Sequence, residues 1–375
     1  MTGTTEEAGM ARRATLKRVI QGLISLVIVV GIFAGILPLI ADYGAVWDTI
    51  RAMTQLEIAT LVLVGLWNLF TYWLVLTAAL PGLRVREAAV VNQASTAVSN
   101  TLPAGGAIGV GVTLSMLTSW GFSAAAIGRS AVVTGVWNNF VKLGMPVFAL
   151  VLLALEGAVS VGRLVSAAVG IAVLVGAVVL LALLLRSDPL ARTVGRGVGH
   201  VVDGVRQALK RAPVGRWPER AAAFRTDTIE LLADRWLHLT VSTLVSHVSL
   251  YVVLLLALRH VGVSQQELSW ISVLAAFAFV RLISALPLTP GGVGVVELGY
   301  AAVMTIGLDD ATSAQVVAAI LVFRAVTYLL PIPLGTAAYM IWRANRSWRL
   351  DADARSALAD GEPATDSARS SASPR

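Results

Sequence analysis

Long apolar runs separated by short polar segments dominate the pattern of hydrophobic positions along this chain. The uninterrupted runs cover residues 19–41, 56–80, 123–155, 163–185, 236–258 and 312–342. An α-helix needs ~20 predominantly apolar residues to cross about 30 Å of hydrocarbon. The first run is also too long for the apolar core of a secretory signal, which has roughly 7–15 residues. The pattern therefore predicts an all-α polytopic membrane protein whose first run is a retained span.

Two further apolar stretches are interrupted by proline and glycine. Residues 88–117 contain the sequence LPAGG, and residues 268–308 contain LPLTPGGVG. Proline removes a backbone donor and glycine destabilises a helix interior, so each stretch should break into two short pieces. A bilayer tolerates such breaks only where protein or a water-filled cavity satisfies the freed backbone groups. We expect two re-entrant helix hairpins and about six to eight transmembrane helices in total. The alternatives are two complete crossings per stretch or, for the second, a short turn outside the membrane.

The chain divides into two similar halves, residues 56–185 and 236–342. Each half has a span, a broken segment and a second span that carries a buried cation followed by a proline. The cations are Lys142 and Arg324. Lys142 lies 39 residues after Pro103 (142 − 103), and Arg324 lies 37 residues after Pro287 (324 − 287), so the two spacings are nearly equal. Counting crossings gives the halves opposite orientations, and inverted repeats with broken helices are typical of secondary transporters. The alternative is chance spacing of proline and glycine in a glycine-rich chain.

Basic residues occur in the polar segments that flank the spans. The positive-inside rule places residues 1–18, the loop 186–235 and the tail 343–375 in the cytoplasm. Within the loop, residues 194–209 alternate apolar and basic positions at helical spacing. This predicts a helix that lies on the membrane surface or a solvated linker between the halves. The tail has few large apolar residues and is expected to be disordered. Residues 19–342 are interpreted as one transmembrane domain in the cell (inner or plasma) membrane.

Composition excludes several kinds of chemistry. Only 14% of the residues are charged and the mean hydropathy is +0.77, whereas soluble domains carry about 25% charged residues. The absence of cysteine excludes disulfides and thiolate ligands. The four histidines have no metal-ligand spacing, and no catalytic constellation is evident. We therefore expect neither an enzyme nor a cofactor, and the net charge of +7 is too dispersed to predict a nucleic-acid partner.

Charged residues within the apolar segments are the strongest candidates for function. They are Arg129, Lys142, Arg281, Glu297 and Arg324. A charge at the bilayer centre costs at least ~2.5–3.5 kcal/mol, so such residues normally pair or face water. The surplus of cations favours an anionic ligand such as a phosphate headgroup, although Arg129 and Arg281 could instead snorkel to the interface. We expect a Glu297–Arg324 pair, with Lys142 in the same cavity.

The two broken segments carry a recognisable motif. The residues are Thr289-Pro290-Gly291-Gly292-x-Gly294-x-x-Glu297 and, upstream, Asn100-x-Leu102-Pro103-x-Gly105-Gly106. This pattern resembles the transmembrane region of the lysylphosphatidylglycerol synthase family, the flippase-like membrane half of bacterial multiple peptide resistance factors. The resemblance extends over residues 20–342 and implies translocation of a lipid. It does not imply lysyl transfer here, because no aminoacyl transferase domain follows Trp342 in this sequence.

The leading hypothesis is a flippase-like transporter of an anionic or modified phospholipid or a lipid-linked intermediate. The alternative is a non-transporting membrane subunit or scaffold for a lipid- or glycolipid-modifying enzyme, so the partners considered are the lipid, such an enzyme and a second copy of the chain. The residues expected to bind or transport substrate are Asn100, Pro103, Gly105, Gly106, Asn138, Asn139, Lys142, Arg281, Thr289, Pro290, Gly291, Gly292, Gly294, Glu297 and Arg324.

Overall fold

A computed structural model of the chain describes residues 43–102, 105–156, 161–208, 212–213, 215–284 and 289–345. The predicted first span, the N-terminal segment 1–18, most of the tail (346–375), Pro103 and Pro287 lie outside the described residues. The helices are Tyr43–Ala52 (α1), Gln55–Ala79 (α2), Val85–Thr101 (α3), Gly105–Ser119 (α4), Ala124–Leu155 (α5), Val161–Arg186 (α6), Asp188–Ala208 (α7), Trp217–His260 (α8), Trp270–Ile283 (α9), Val295–Met304 (α10), Asp310–Arg324 (α11) and Pro331–Ala344 (α12). The described residues are thus all-helical, as predicted.

Several helices are long and apolar enough to cross a membrane. Within the described residues these are Gln55–Ala79, Ala124–Leu155, Ala168–Arg186, Trp217–His260 and Asp310–Ala344. Each overlaps a run that the hydrophobic pattern marks as a span, because a long apolar stretch favours a helix that crosses the bilayer. Ala124–Leu155 is continuous although it contains Pro146. The chain is therefore a multi-pass α-helical membrane protein.

Both interrupted stretches form pairs of short helices. The first pair is α3 and α4, of 17 and 15 residues. The second is α9 and α10, of 14 and 10 residues, separated by a 3₁₀ turn at Pro290–Gly292. At 1.5 Å per residue these helices are roughly 15–26 Å long, which is short of the ~30 Å hydrocarbon core. The breaks are confirmed, and the side from which each pair enters stays a prediction.

The first pair is a closely packed antiparallel hairpin. An added Cβ on Gly105 would collide with the backbone of Val98 and Ser99, and one on Gly109 would overlap the Ser99 hydroxyl. The C-terminal residues of α3 therefore touch the N-terminal residues of α4. Such close approach requires small side chains, as in membrane helix interfaces generally.

The second half repeats the element order of the first. The helix α2, the pair α3–α4 and the 32-residue α5 are followed by the C-terminal part of α8, the pair α9–α10 and the continuous helix Asp310–Ala344. A π-helical turn at Ala325–Leu329 joins α11 to α12, and the Leu330 N–H donates to the Ala325 carbonyl at 2.9 Å. Such turns are rare and often occur at functional sites. The opposite orientation of the halves stays a prediction.

Two polar segments between the apolar runs contain helices. The loop at residues 42–55 contains α1, in which the Arg51 guanidinium lies 4.9 Å from the Trp47 ring. The loop 186–235 contains α7 and the start of α8, a single helix of 44 residues that also includes the expected span 236–258. No proline or glycine occurs after Pro218 in α8, so nothing in the sequence ends the helix at the polar–apolar boundary.

The folded chain consists of two compact units, and neither coincides with a sequence half. The first unit has residues 43–73, 84–122 and 246–345, and the second has residues 74–83 and 123–245. The first includes both broken segments and α12. In it, α3 and α12 pack so closely that a Cβ on Gly335 would overlap the Gln93 carbonyl.

The second unit has its own apolar core and polar links. Its core includes Ala78, Ala79, Val133, Leu231 and Leu239. The Trp137 Nε1 of α5 donates to the Thr240 hydroxyl of α8 at 3.0 Å. In the same unit α7 packs on the first turns of α8, since a Cβ on Gly199 would meet the Trp217 ring. The helix predicted at residues 194–209 is confirmed; its position relative to a membrane stays a prediction.

Candidate functional site: a polar cavity at the two broken segments

A cavity of about 410 Å³ lies within the first unit. Its lining comes from α2, α3, α8, α9, the turn at Pro290–Gly292, α10 and the helix Asp310–Ala344. The polar side chains include Asn92, Thr96, Asn100, Arg281, Arg324 and Tyr328. Both broken segments therefore contribute to one polar space inside a strongly apolar protein.

The glycines of the second break fold the backbone into a conformation that other residues rarely adopt. Gly291, Gly292 and Gly294 have φ angles of 59°, 71° and 83°. A Cβ on Gly291 would also collide with the ring of Tyr328. The Thr289 hydroxyl donates to the Val293 carbonyl at 2.8 Å and thereby closes the turn. Glycine is required here both for the left-handed backbone and for the close approach of an aromatic ring.

Glu297 stabilises the start of α10 and is buried, with 3% of its surface exposed. Its Oε2 accepts a hydrogen bond from the Gly294 N–H at 2.8 Å. Its Oε1 accepts from the Arg324 Nε at 2.7 Å. A carboxylate at a helix N-terminus is favoured by the helix dipole, and the guanidinium supplies the opposite charge. The expected Glu297–Arg324 pair is confirmed.

The Arg324 guanidinium contacts several other residues of the protein. Besides Glu297, it donates from Nη2 to the Gly291 carbonyl at 3.0 Å. Its Cζ lies 4.5 Å from the centre of the Tyr328 ring, in a cation–π contact. The exposed fractions of the Arg324 and Glu297 side chains are 13% and 4%. Arg324 therefore fixes the glycine turn to the following span, and its charge is balanced by Glu297.

Asn100 and Tyr328 connect the first broken segment to the helix Asp310–Ala344. The Asn100 Nδ2 donates to the Tyr328 carbonyl at 3.2 Å, and the Tyr328 hydroxyl donates to the Asn100 carbonyl at 2.6 Å. Asn100 lies in the last turn of α3, and Tyr328 lies in the π-helical turn. Sequence reasoning identified Asn100 but missed Tyr328. Its position four residues after Arg324, where an aromatic can meet a cation on one helix face, was the available signal.

Arg281 lies at the C-terminal end of α9 and lines the cavity. Its Nε is buried and has no hydrogen-bond partner, and its guanidinium makes no ion pair with any described residue. The expectation for Arg281 was either snorkelling or function. A position on the cavity wall favours function.

Other predicted site residues have different positions. Gly105 serves the packing of α3 against α4, whereas an added Cβ on Gly106 would meet nothing within 4 Å. Asn138, Asn139 and Lys142 lie on α5 in the second unit and do not line the cavity. The expectation that Lys142 shares a cavity with Glu297 stays a prediction, because Lys142 belongs to the second unit and Glu297 to the first.

Arg129 belongs to an ion pair outside the cavity. Its Nη1 lies 2.8 Å from the Asp227 Oδ2, and the exposed fractions of the two side chains are 18% and 46%. The paired acid is in the polar first half of α8, which the sequence had placed in a loop. From the sequence we considered only snorkelling or a transport role for Arg129. We did not consider an ion pair with a nearby acid, which is what the structure shows with Asp227.

Comparison with known proteins finds a family match for the chain. Among the described residues, no group of three or more His, Asp or Glu side chains is placed to hold a metal ion. No individually curated protein matches the chain. The family described as "Lysylphosphatidylglycerol synthase TM region" matches residues 22–335, which include both broken segments and the residues around the cavity. The chain therefore belongs to the lysylphosphatidylglycerol synthase transmembrane-region family.

Proposed function

We propose that the protein moves a lipid with an anionic or modified headgroup, a phospholipid or a lipid-linked intermediate, between membrane leaflets. The supporting observation is the polar cavity that both broken segments line together. Helices that end inside an apolar protein leave backbone N–H groups and polar side chains free to bind the polar headgroup of a lipid. Family membership supports a lipid-related role in the membrane.

Lipid exchange in liposomes tests this function. Protein reconstituted with a trace of fluorescent phosphatidylglycerol or phosphatidylethanolamine should increase the fraction of label that an impermeant quencher reaches with time. Thr96→Trp should slow this exchange because an indole would occupy the cavity. Thr336→Trp is the matched control, because Thr336 is exposed on α12 and does not line the cavity. No exchange of either labelled lipid by folded protein would contradict the proposal.

A scaffold role is the alternative, and α7 is the feature that favours it. This helix presents the exposed cations Arg192 and Arg196 and the half-buried Arg206, of which Arg192 pairs with Asp188 at 2.7 Å, and a basic surface suits an acidic partner. Folded protein that leaves lipid exchange unchanged but captures a lipid-modifying enzyme only when these cations are present would support the scaffold.

We also propose a plasma-membrane location with the termini and α7 in the cytoplasm. The chain has no cysteine, so a single Ser187→Cys variant carries one reactive thiol between α6 and α7. An impermeant maleimide should leave intact cells unlabelled and label permeabilised cells. Labelling of intact cells at this position would contradict the orientation.

A further inference from the structure

The two arginines that line the cavity differ in the partners of their guanidinium groups. Arg324 is bound to Glu297 and to the Gly291 carbonyl. Arg281 has a buried Nε without a hydrogen-bond partner and no ion pair among the described residues. The Glu297–Arg324 pair contributes no net charge. The described cavity therefore carries one uncompensated positive charge, and that charge is on Arg281.

Two neutral donors face the same space. Asn92 and Thr96 lie one turn apart on α3 and line the cavity. Neither side chain makes a hydrogen bond with any described residue, although buried or half-buried polar groups normally find partners. The Asn92 amide, the Thr96 hydroxyl and the Arg281 guanidinium can all donate to acceptor oxygens of one ligand.

We propose that Arg281, Asn92 and Thr96 form the binding site for a singly charged phosphodiester in a phospholipid headgroup, which rests on the proposed lipid transport. A phosphodiester has one negative charge and two free oxygens, and guanidinium groups bind phosphate oxygens in pairs. A lipid diphosphate would bring at least one further negative charge without a cation to balance it, which is costly away from water. The charge of the cavity thus selects phospholipids over lipid-linked diphosphates.

Equilibrium binding to the purified full-length protein in detergent tests the ligand class. The probe is dihexanoyl phosphatidylglycerol, measured by titration calorimetry. Three compounds are compared with this probe. Farnesyl diphosphate carries more negative charge, and octanoate carries the same single charge on a carboxylate. Glycerophosphoglycerol has the phosphodiester headgroup without acyl chains. The first probe should bind at least about tenfold more tightly than each of the others. Equal or tighter binding of any of the other three overturns the assignment of a lipid phosphodiester.

Substitution of Arg281 tests the site. Arg281→Gln should weaken binding of dihexanoyl phosphatidylglycerol by about 10–100-fold, because a hydrogen bond to a charged group contributes roughly 1.5–3 kcal/mol. Arg281→Lys keeps the charge and should keep the preference for the phosphodiester over the diphosphate. Arg51→Gln is the control, since Arg51 lies on α1 outside the cavity, and it should bind as the unaltered protein does. Unchanged affinity in Arg281→Gln, or loss of the preference in a folded Arg281→Lys protein, overturns the proposal.

The liposome assay separates this proposal from the proposed function. Binding that depends on Arg281 without any lipid exchange supports the site and contradicts transport. Lipid exchange that proceeds equally well in Arg281→Gln overturns the site and leaves transport in place.

Discussion

The two broken segments have similar sequences and different physical roles. Both have a proline followed by paired glycines, yet residues 95–115 around the first break include no charged residue, whereas Arg281, Glu297 and Arg324 surround the second break. Glycine at the first break allows two helices to touch, as at Gly105. Glycine at the second break permits a left-handed turn beneath an aromatic ring, as at Gly291. The same signature can thus support helix packing or a charged site, and its surroundings decide which.

The largest expected effect on this difference comes from removing Arg324, the cation that pairs with Glu297 of the second broken segment. Arg324→Ala leaves the Glu297 carboxylate buried without a counter-charge, and breaking a buried pair in this way costs about 3–5 kcal/mol. We expect a loss of that size in the free energy of unfolding, measured by denaturant titration in mixed micelles. The control Arg51→Ala removes a surface cation and should cost less than about 1 kcal/mol. Comparable losses in the two variants would show that the pair does not hold the second segment together.

Alanine at matched glycines sharpens the comparison. Gly291→Ala should destabilise the protein by at least about 1–3 kcal/mol, because alanine must adopt a positive φ and its Cβ meets the Tyr328 ring. Gly106→Ala has open space around it and should be neutral or stabilise by up to about 1 kcal/mol. Thermal unfolding of the two purified variants gives the order. A Gly106→Ala protein less stable than Gly291→Ala would reverse our assignment of the two breaks.

The smallest expected effect concerns the link between Asn100 of the first broken segment and Tyr328 of the helix Asp310–Ala344. Tyr328→Phe removes the hydroxyl that donates to the Asn100 carbonyl and keeps a ring beneath Arg324. We expect a loss of about 0.5–1.5 kcal/mol in the free energy of unfolding. Tyr339→Phe is a control on α12, since Tyr339 contacts Trp342 through its ring. A larger loss for Tyr339→Phe than for Tyr328→Phe would remove the Asn100–Tyr328 link from the description of the site.

The sequence predicted what depends on local composition. Apolar runs indicated the spans, and proline with glycine indicated the breaks, because helix propagation and membrane thickness act on neighbouring residues. The Glu297–Arg324 pair was also predictable, since a lone carboxylate in an apolar segment requires a cation. These predictions succeeded for one reason. A polar backbone group or a charge that is left without a partner in an apolar segment costs a large free energy, so the sequence must supply the partner nearby.

Features that depend on tertiary packing were not predictable in the same way. Asn92 and Thr96 occur among many small polar residues of α3, and no spacing distinguishes the positions that face the cavity. Lys142 matches Arg324 in the repeat, yet the two residues belong to different compact units, so the match alone does not place Lys142 beside the cavity. Position in a repeat gives the element of a residue and does not give its neighbours.

The π-helical turn between α11 and α12 has a consequence for chain length. A π-helical turn winds more residues into one turn than the 3.6 of an α-helix, so it absorbs one extra residue without rotating the helix that follows. Here it lies between Arg324 and Pro331 and includes Tyr328. Deleting one residue from Ala325–Leu329 would therefore return this stretch to regular α-helical geometry and leave Gly335 of α12 against Gln93. A single-residue gap at this point of a relative's sequence would therefore mark a protein that lacks the π-helical turn and whose last span still presents the same face to α3.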